Sequence, residues 1–436
     1  MMSSTPSNAA APDPAPHGGP ARKGWGGALR HPAFLRYWLA RILSMGALQI
    51  QAVAAGWAIY DRTGSTMNLG LIGLAQFLPS VGLVLVTGHA ADRLDRRLII
   101  TICVGVEAAA MAMTGVVLAS PNLPVWLVYA AVMLFGAARA FEAPASSALL
   151  PNLVPKADFP NAVAISSSAM QVAGVLGPAL GGVLYAGLHD WVFGVGAGFL
   201  VLAGLIVIGI SAPSRAVTRA PVSWDGILGG VRYIRQQPIV LGAISLDLFA
   251  VLLGGATALL PALARDQFSA DAGLLGLTGP MLLGVMRGAP GVGAILVGLT
   301  LAAWPLKRRV GPIMLACVGV FGLATIVFGL THSPAIALLS LLVMGAVDMV
   351  SVFVRQTLVQ LGTPDEMRGR VSAVSGLFIG ASNQLGEFES GLTASWLGTE
   401  LAVVVGGIGT VAVVALWCVL FPALRRADKL DWSAAT

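Results

Sequence analysis

A chain of 436 residues with 56% hydrophobic and only 11% charged side chains is far more apolar than a soluble domain, where about a quarter of residues are charged. That balance excludes a soluble enzyme. The formal charge of +6 is not a nucleic-acid footprint, because no basic face interleaved with aromatics sits on a soluble domain.

Residues 1–30 are rich in Pro, Ala, Ser and Gly in their first two-thirds and read as a disordered tail. They hold no apolar core of a signal peptide, so none is expected to be cleaved. Beyond His31-Pro32, twelve apolar stretches of helix length follow. They lie near 34–60, 67–88, 98–119, 125–143, 161–187, 191–211, 238–263, 281–303, 310–331, 335–361, 371–397 and 400–422. Crossing a bilayer core of about 30 Å takes ~20 apolar residues per helix. Apolar residues all round each stretch fit helices and not the period-two strands of a membrane barrel. The eighth stretch is the least regular, since 269–288 reads partly as loop.

The two halves repeat each other. Gly73, Pro79 and Gly82 recur as Gly284, Pro290 and Gly293 at an offset of 211, and Arg96-Arg97 recur as Lys307-Arg308. Farther on, Pro155 and Gly177 match Pro364 and Gly386 at 209, as one short loop deletion would produce. Parallel repeats of this kind build transporters with a site between two rocking halves. The expected organisation is a six-helix bundle over 31–211, a cytoplasmic linker over 212–237, a second bundle over 238–422 and a cytoplasmic tail over 423–436. The basic linker reads either as solvated chain or as a short surface helix over Asp225–Arg235.

Only Arg62 and Arg265 lie in loops on the outer side, and Arg41, Arg139, Arg287 and Arg355 lie within or at the ends of spans. Every other lysine and arginine falls on one side, which predicts that both termini are cytoplasmic. Cys103, Cys317 and Cys418 are far apart, show no metal-ligand spacing and read as packing residues. The five histidines form no ligand pair and no phosphate loop is present, so neither metal nor cofactor is expected.

Two motifs carry chemistry. After the second span come Gly88, Asp92, Arg93, Asp95, Arg96 and Arg97. Asp92 and Arg96 are one helical turn apart and can pair, or the carboxylate can face a neighbouring helix N-terminus. The cluster reads as a conformational latch, or more plainly as a positive-inside anchor. In the fifth span, Gly177, Pro178, Gly181 and Gly182 strip one face and weaken the helix ladder, which permits close packing and bending.

The first motif resembles the loop between helices two and three of the major facilitator superfamily, with Asp95 where many members carry glycine. The fifth-span motif is similar to that superfamily's antiporter-associated element, with Ala173 replacing the first glycine; a generic packing helix is the plainer reading. An arginine common in helix four of proton-driven drug exporters is absent: Val132 stands there, and Arg139 lies too far toward the cytoplasm. Phe141, Pro144, Leu149-Leu150-Pro151 and the run Thr363–Val371 resemble the branch containing the enterobactin exporter and macrolide-efflux-like proteins. The resemblance spans about residues 30–430. It implies an all-α membrane protein with twelve transmembrane helices in two pseudo-symmetric six-helix bundles, the major facilitator fold. It also implies a bacterial inner-membrane exporter of amphiphilic small molecules, siderophore-like or drug-like, and no enzyme.

Ionisable groups within spans are costly and therefore functional candidates. Arg41 and Asp247 each fall nine residues after a proline and are candidate partners in one conformational state, although Arg41 can equally snorkel. Asp348, Arg355, Glu387 and Glu389 are candidates for proton or substrate coupling, with Glu387 and Asp348 favoured for the proton. Glu107 reads as a packing or hydrogen-bonding group, and Arg139 and Glu142, three apart, as a pair at a helix end. In the repeat, Asp92 faces Ala303, Pro178 faces Glu387 and Gln76 faces Arg287. The expected partners are a small-molecule substrate, protons and the lipid bilayer, with no nucleic acid, and the chain is expected to act as a monomer by alternating access. A uniporter or importer, or a membrane sensor without transport, would share the architecture.

Overall fold

A computed structural model describes residues 27–83, 86, 87, 90, 94–211, 224–268, 276, 277 and 279–429. The tail before residue 27, the first part of the linker, much of the loop before the eighth span, and Gly88, Asp92 and Arg93 lie outside the described residues. All regular elements among the described residues are helical. The first half holds α1 (Pro32–Thr63), α2 (Thr66–Gly82), α3 (Arg96–Ala119), α4 (Trp126–Leu149), α5 (Phe159–Leu188) and α6 (Val192–Ile208). A linker helix, α7 (Trp224–Gln236), precedes α8 (Pro238–Leu253), α9 (Gly279–Ala303), α10 (Val310–Leu330), α11 (Pro334–Leu361), α12 (Asp365–Leu397) and α13 (Thr399–Leu420).

Nine stretches among the described residues are long and apolar enough to cross a membrane, and one of them, Phe159–Ile208, contains both α5 and α6. Thr66–Gly82 and Asp365–Leu397 fall outside that set, although both coincide with sequence-predicted spans. The second of them carries Asn383, Gln384, Glu387 and Glu389. Large side chains such as Val116, Leu205, Ile208 and Val419 are exposed, the pattern of a bundle whose outer surface meets lipid.

Helix ends follow local chemistry. Prolines occupy the first helical position of α1, α8 and α11, where the missing N–H costs nothing and the fixed φ is already helical. Gly64 closes α1 at φ +61° and donates its N–H to the Tyr60 carbonyl, a left-handed cap that disfavours other residues. Asp95 caps α3 by accepting from the Arg97 backbone N–H at 2.9 Å.

The packing repeats with the sequence. In the first half α1 packs on α5 and α6, α2 on α4, and α3 on α4 and α6. In the second, α8 packs on α12 and α13, α9 on α11, and α10 on α11 and α13. Each pair has its equivalent. The two large contacts between halves, α2 with α12 and α5 with α9, are equivalents of each other.

Of the two linker readings, the helix is the one found, and it is docked rather than solvated. Ile234 is buried, Tyr233 Oη donates to the Gly362 carbonyl at 2.8 Å, and Gly230 lies against Arg370 and Val374 at the start of α12. Apolar residues on one face of α7 account for this, since they lose water by packing. The packed structure also extends past the expected tail boundaries. The Ala28 N–H donates to Asn161 Oδ1, and the Gly311 N–H donates to the Ala427 carbonyl.

The halves meet through glycines. A methyl group at Gly182 would strike the Pro280 carbonyl and the Gly284 backbone, and one at Gly391 would strike Gly70. By contrast, Gly82, Gly174, Gly376 and Gly380 face open space. The seams therefore close at the face away from residues 27 and 429, and the cleft opens toward the face carrying those two ends. Valine at Gly182 should hold the seam apart and lower transport roughly tenfold, a loss of about 1.4 kcal/mol in closing free energy. The matched control, Gly174→Val, should transport normally. Wild-type rates for G182V in reconstituted vesicles would remove the seam from the mechanism.

Candidate functional site: a charged cavity between the halves

The central cavity lies where five helices from both halves converge. Gln51 of α1, Gln76 of α2, Val132 of α4, Pro261, Arg287 of α9 and Glu387 of α12 line it, with a volume of about 80 Å³. Gly73 makes room for Glu387: a methyl group there would collide with the glutamate Cβ and Oε2. The equivalent contact in the other seam sets Gly284 against the Pro178 carbonyl. One register thus holds a proline backbone in one seam and a carboxylate in the other. Arg287 lies within electrostatic reach of Glu387, and its Nε has no hydrogen-bond partner among the described residues. Ser80 Oγ donates to Gln384 Oε1 at 3.3 Å as α2 and α12 begin to part.

Above the cavity, the closed face is held by polar contacts between α1 and the turn after α8. Tyr60 Oη donates to Asp266 Oδ2 at 2.5 Å, and Arg265 pairs with Asp61 at 3.2 Å while lying over the Tyr60 ring. Sequence reasoning missed this gate. The available signal was the rarity of basic residues in the outer loops, where Arg265 was one of only two.

The spans carry two further clusters, one inside each half. Arg41 donates to Ser146 Oγ at 2.8 Å and lies 3.8 Å from Glu142, which also pairs with Arg139 at 3.1 Å. Asp247 forms a buried ion pair with Arg355. Beside that pair, a cavity of about 10 Å³ is lined by Asp247, Asp348 and Ser351. In this conformation Arg41 and Asp247 do not meet: each residue is paired within its own half. Position after a proline sets depth along a helix, but the side on which a residue emerges decides which neighbour it meets. Glu389 is also separate from the central cavity and accepts from Thr393 Oγ1 at 2.8 Å on its own helix.

Of the expected latch, Gly88, Asp92 and Arg93 lie outside the described residues. Arg96 is buried and donates to the Ala148 carbonyl, while Arg97 donates to the Ile210 carbonyl. These two residues tie the start of α3 to the ends of α4 and α6, within one half. In the fifth-span motif, Gly177 and Gly181 admit Gln49, Ile50 and Val53 of α1, whereas Pro178 and Gly182 meet α9. Glycine on both faces lets α5 sit closely between two helices.

The fold and its sites define a major facilitator-type membrane transporter, with a cavity between two repeated halves. The match to the transmembrane secretion effector model runs over residues 24–436, and the chain belongs to that family. It is 29% identical over 410 residues to the enterobactin exporter EntS of Citrobacter koseri, covering 91% of this chain and 93% of that protein. The enterobactin exporter EntS of Escherichia coli O1:K1 is 28% identical over 407 residues, with the same coverages. Among solved structures, the nucleoside transporter NupG superposes with a TM-score of 0.69 at 14% identity, over 89% of this chain and 99% of that one. An inward-facing bacterial homolog of the human lysosomal transporter Spinster gives 0.67 at 15% identity, over 90% and 95%.

Asp95 gives a test outside the membrane. The Arg97 guanidinium, assisted by the Arg97 backbone N–H and opposed by partial burial, holds its carboxyl below the usual carboxylate range. A depressed carboxyl contributes stability above its unfolded pKa and loses it as pH falls through the folded value. Asp95→Ala should cost about 1 kcal/mol at neutral pH, with solvent screening keeping it small. The difference in thermal stability from wild type should shrink on acidification; a gap that widens in acid would refute the cap.

Proposed function

We propose that the protein is a secondary transporter that exports an amphiphilic, siderophore-like or drug-like small molecule across the bacterial inner membrane by alternating access. It works as a monomer with both termini in the cytoplasm. Residues 31–211 and 238–422 are its two rocking bundles, and 212–237 is the cytoplasmic linker. The observation that carries this reading is the central cavity, closed at one face by the Tyr60–Asp266 and Arg265–Asp61 contacts and splayed toward the other. With the termini in the cytoplasm, this conformation loads substrate from inside. The relatives named as enterobactin exporters support a siderophore-like cargo.

Coupling is by proton antiport. Antiport requires a group whose occupation by proton and by substrate is linked, which is a coupling free energy between two ligands. Glu387 has the right position, lining the cavity across from Gly73 and near Arg287. Asp348, beside the Asp247–Arg355 pair, is a second carboxylate available for coupling. Asp92, with Gly88 and Arg93 in the sequence that follows α2, acts as the latch.

Purified protein in liposomes should accumulate enterobactin against its gradient when a proton gradient is imposed, and collapse of the gradient should stop it. Gradient-independent, merely equilibrating transport would identify a uniporter. Glu387→Gln should lower gradient-driven accumulation at least roughly tenfold, about 1.4 kcal/mol of lost coupling, while leaving substrate counterflow measurable. Equal losses of both would make Glu387 a binding group only.

A further inference from the structure

Glu107 takes part in none of the ion pairs or cavities described so far. It sits in the middle of α3 at 0% exposure, and neither carboxylate oxygen has a hydrogen-bond partner among the described residues. An ionised carboxylate with no partner in an apolar bundle is among the costliest arrangements a fold can hold. A purely structural role would favour an apolar side chain at such a position. The groups around it are few. From α4 it feels Arg139 and Glu142, and on its own helix Cys103 lies one turn away. From α1, Ser44 accepts from Arg139 and Gln51 donates to Thr114 of α3. From α6, Val192–Ile208 supplies no titratable side chain.

The cluster that neighbours Glu107 holds more arginine than carboxylate. Arg41 and Arg139 both face the single carboxylate of Glu142, which leaves one positive charge in excess within the first half. A cavity of about 10 Å³ is lined by Arg41, Ser44, Val104, Glu142 and Ser146, and Val104 is one helical turn from Glu107. Such a volume holds about one water molecule. That cavity does not itself reach the Glu107 carboxyl, so a proton enters or leaves only when the groups between them move.

We propose that Glu107 is a proton-binding site inside the first half, neutral in the conformation seen, which releases its proton when Arg139 turns to it from Glu142. In that step the carboxyl O–H bond breaks, the proton passes to water in the cavity lined by Arg41 and Glu142, and the Arg139 charge takes its place beside the new carboxylate. Rebinding of a proton sends Arg139 back to Glu142. The site is separate from Glu387 and Asp348, and it makes the α3–α4 contact sensitive to proton occupancy.

As part of transport this assignment rests on the proton-coupled reading above; the neutral state of Glu107 is tested without it. Infrared difference spectra of purified wild-type and Glu107→Gln protein at neutral pH should differ by one protonated-carboxyl band. Its absence from wild type overturns the proposal. Glu107→Met, which removes the carboxyl altogether, should be as thermally stable as wild type, because no ion is lost; a drop of many degrees would mean that Glu107 is ionised and paired. If wild type takes up protons on substrate binding or release, E107Q should exchange fewer protons per substrate, with substrate affinity changed less than twofold. An unchanged proton count in E107Q overturns the coupling role of Glu107 alone. Absence of proton exchange in wild type overturns the coupled reading and leaves the infrared result to decide the state of Glu107.

Discussion

Backbone contact between the halves is the constraint on which the rest depends. Helices that meet through leucines stand 8–10 Å apart, whereas glycines let two helices touch main chain to main chain. At Gly182 with Gly284, and at Gly70 with Gly391, the α5–α9 and α2–α12 pairs do so. Those contacts close one face and set the depth of the central cavity. Because each seam is short, the helices part beyond it, and Gly174, Gly376 and Gly380 face open space. A closure made from backbone contact holds no interlocked side chains that must unpack before the halves rock.

Around this frame, the charges in the spans follow the repeat with their signs exchanged. At the offset of 209, Arg139 corresponds to Asp348, Glu142 to Ser351 and Ser146 to Arg355. Arg41 and Asp247 hold matching places after Pro32 and Pro238. Each half therefore builds a polar cluster between equivalent helices, through Arg41, Glu142 and Ser146 in one and Asp247 and Arg355 in the other. One cluster carries an excess of arginine and the other an excess of carboxylate. Buried charges are stable only when paired, so each bundle holds its charges through partners of its own.

Much of this was legible in the chain. Apolar runs of the right length and prolines at helix starts placed the helices, since lipid leaves helix formation as the way to satisfy the backbone. The mismatches in the repeat also singled out Gln76, Arg287 and Glu387, which meet at the central cavity. Partners between helices were harder to read. Arg41 and Asp247 have matching depths, but azimuth decides contacts, and each turns toward its own bundle. The Tyr60–Asp266 contact joins residues far apart in sequence across a turn that no periodicity predicts. Asp95 looked like an added charge in a latch; in the fold it is a helix cap held by Arg97.

The two seams show why a repeated chain must break its own symmetry. If both held a proline carbonyl against glycine, as at Pro178 and Gly284, the interface would be a hinge with nothing to sense what occupies the cavity. If both held a carboxylate, two like charges would flank one apolar cavity and resist closure. With Glu387 in one seam only, and Arg287 rather than a second glutamine opposite Gln76, the cavity contains one ionisable group of each sign. One seam is then closed by backbone contact alone, and the other carries a carboxylate beside an arginine at the same register.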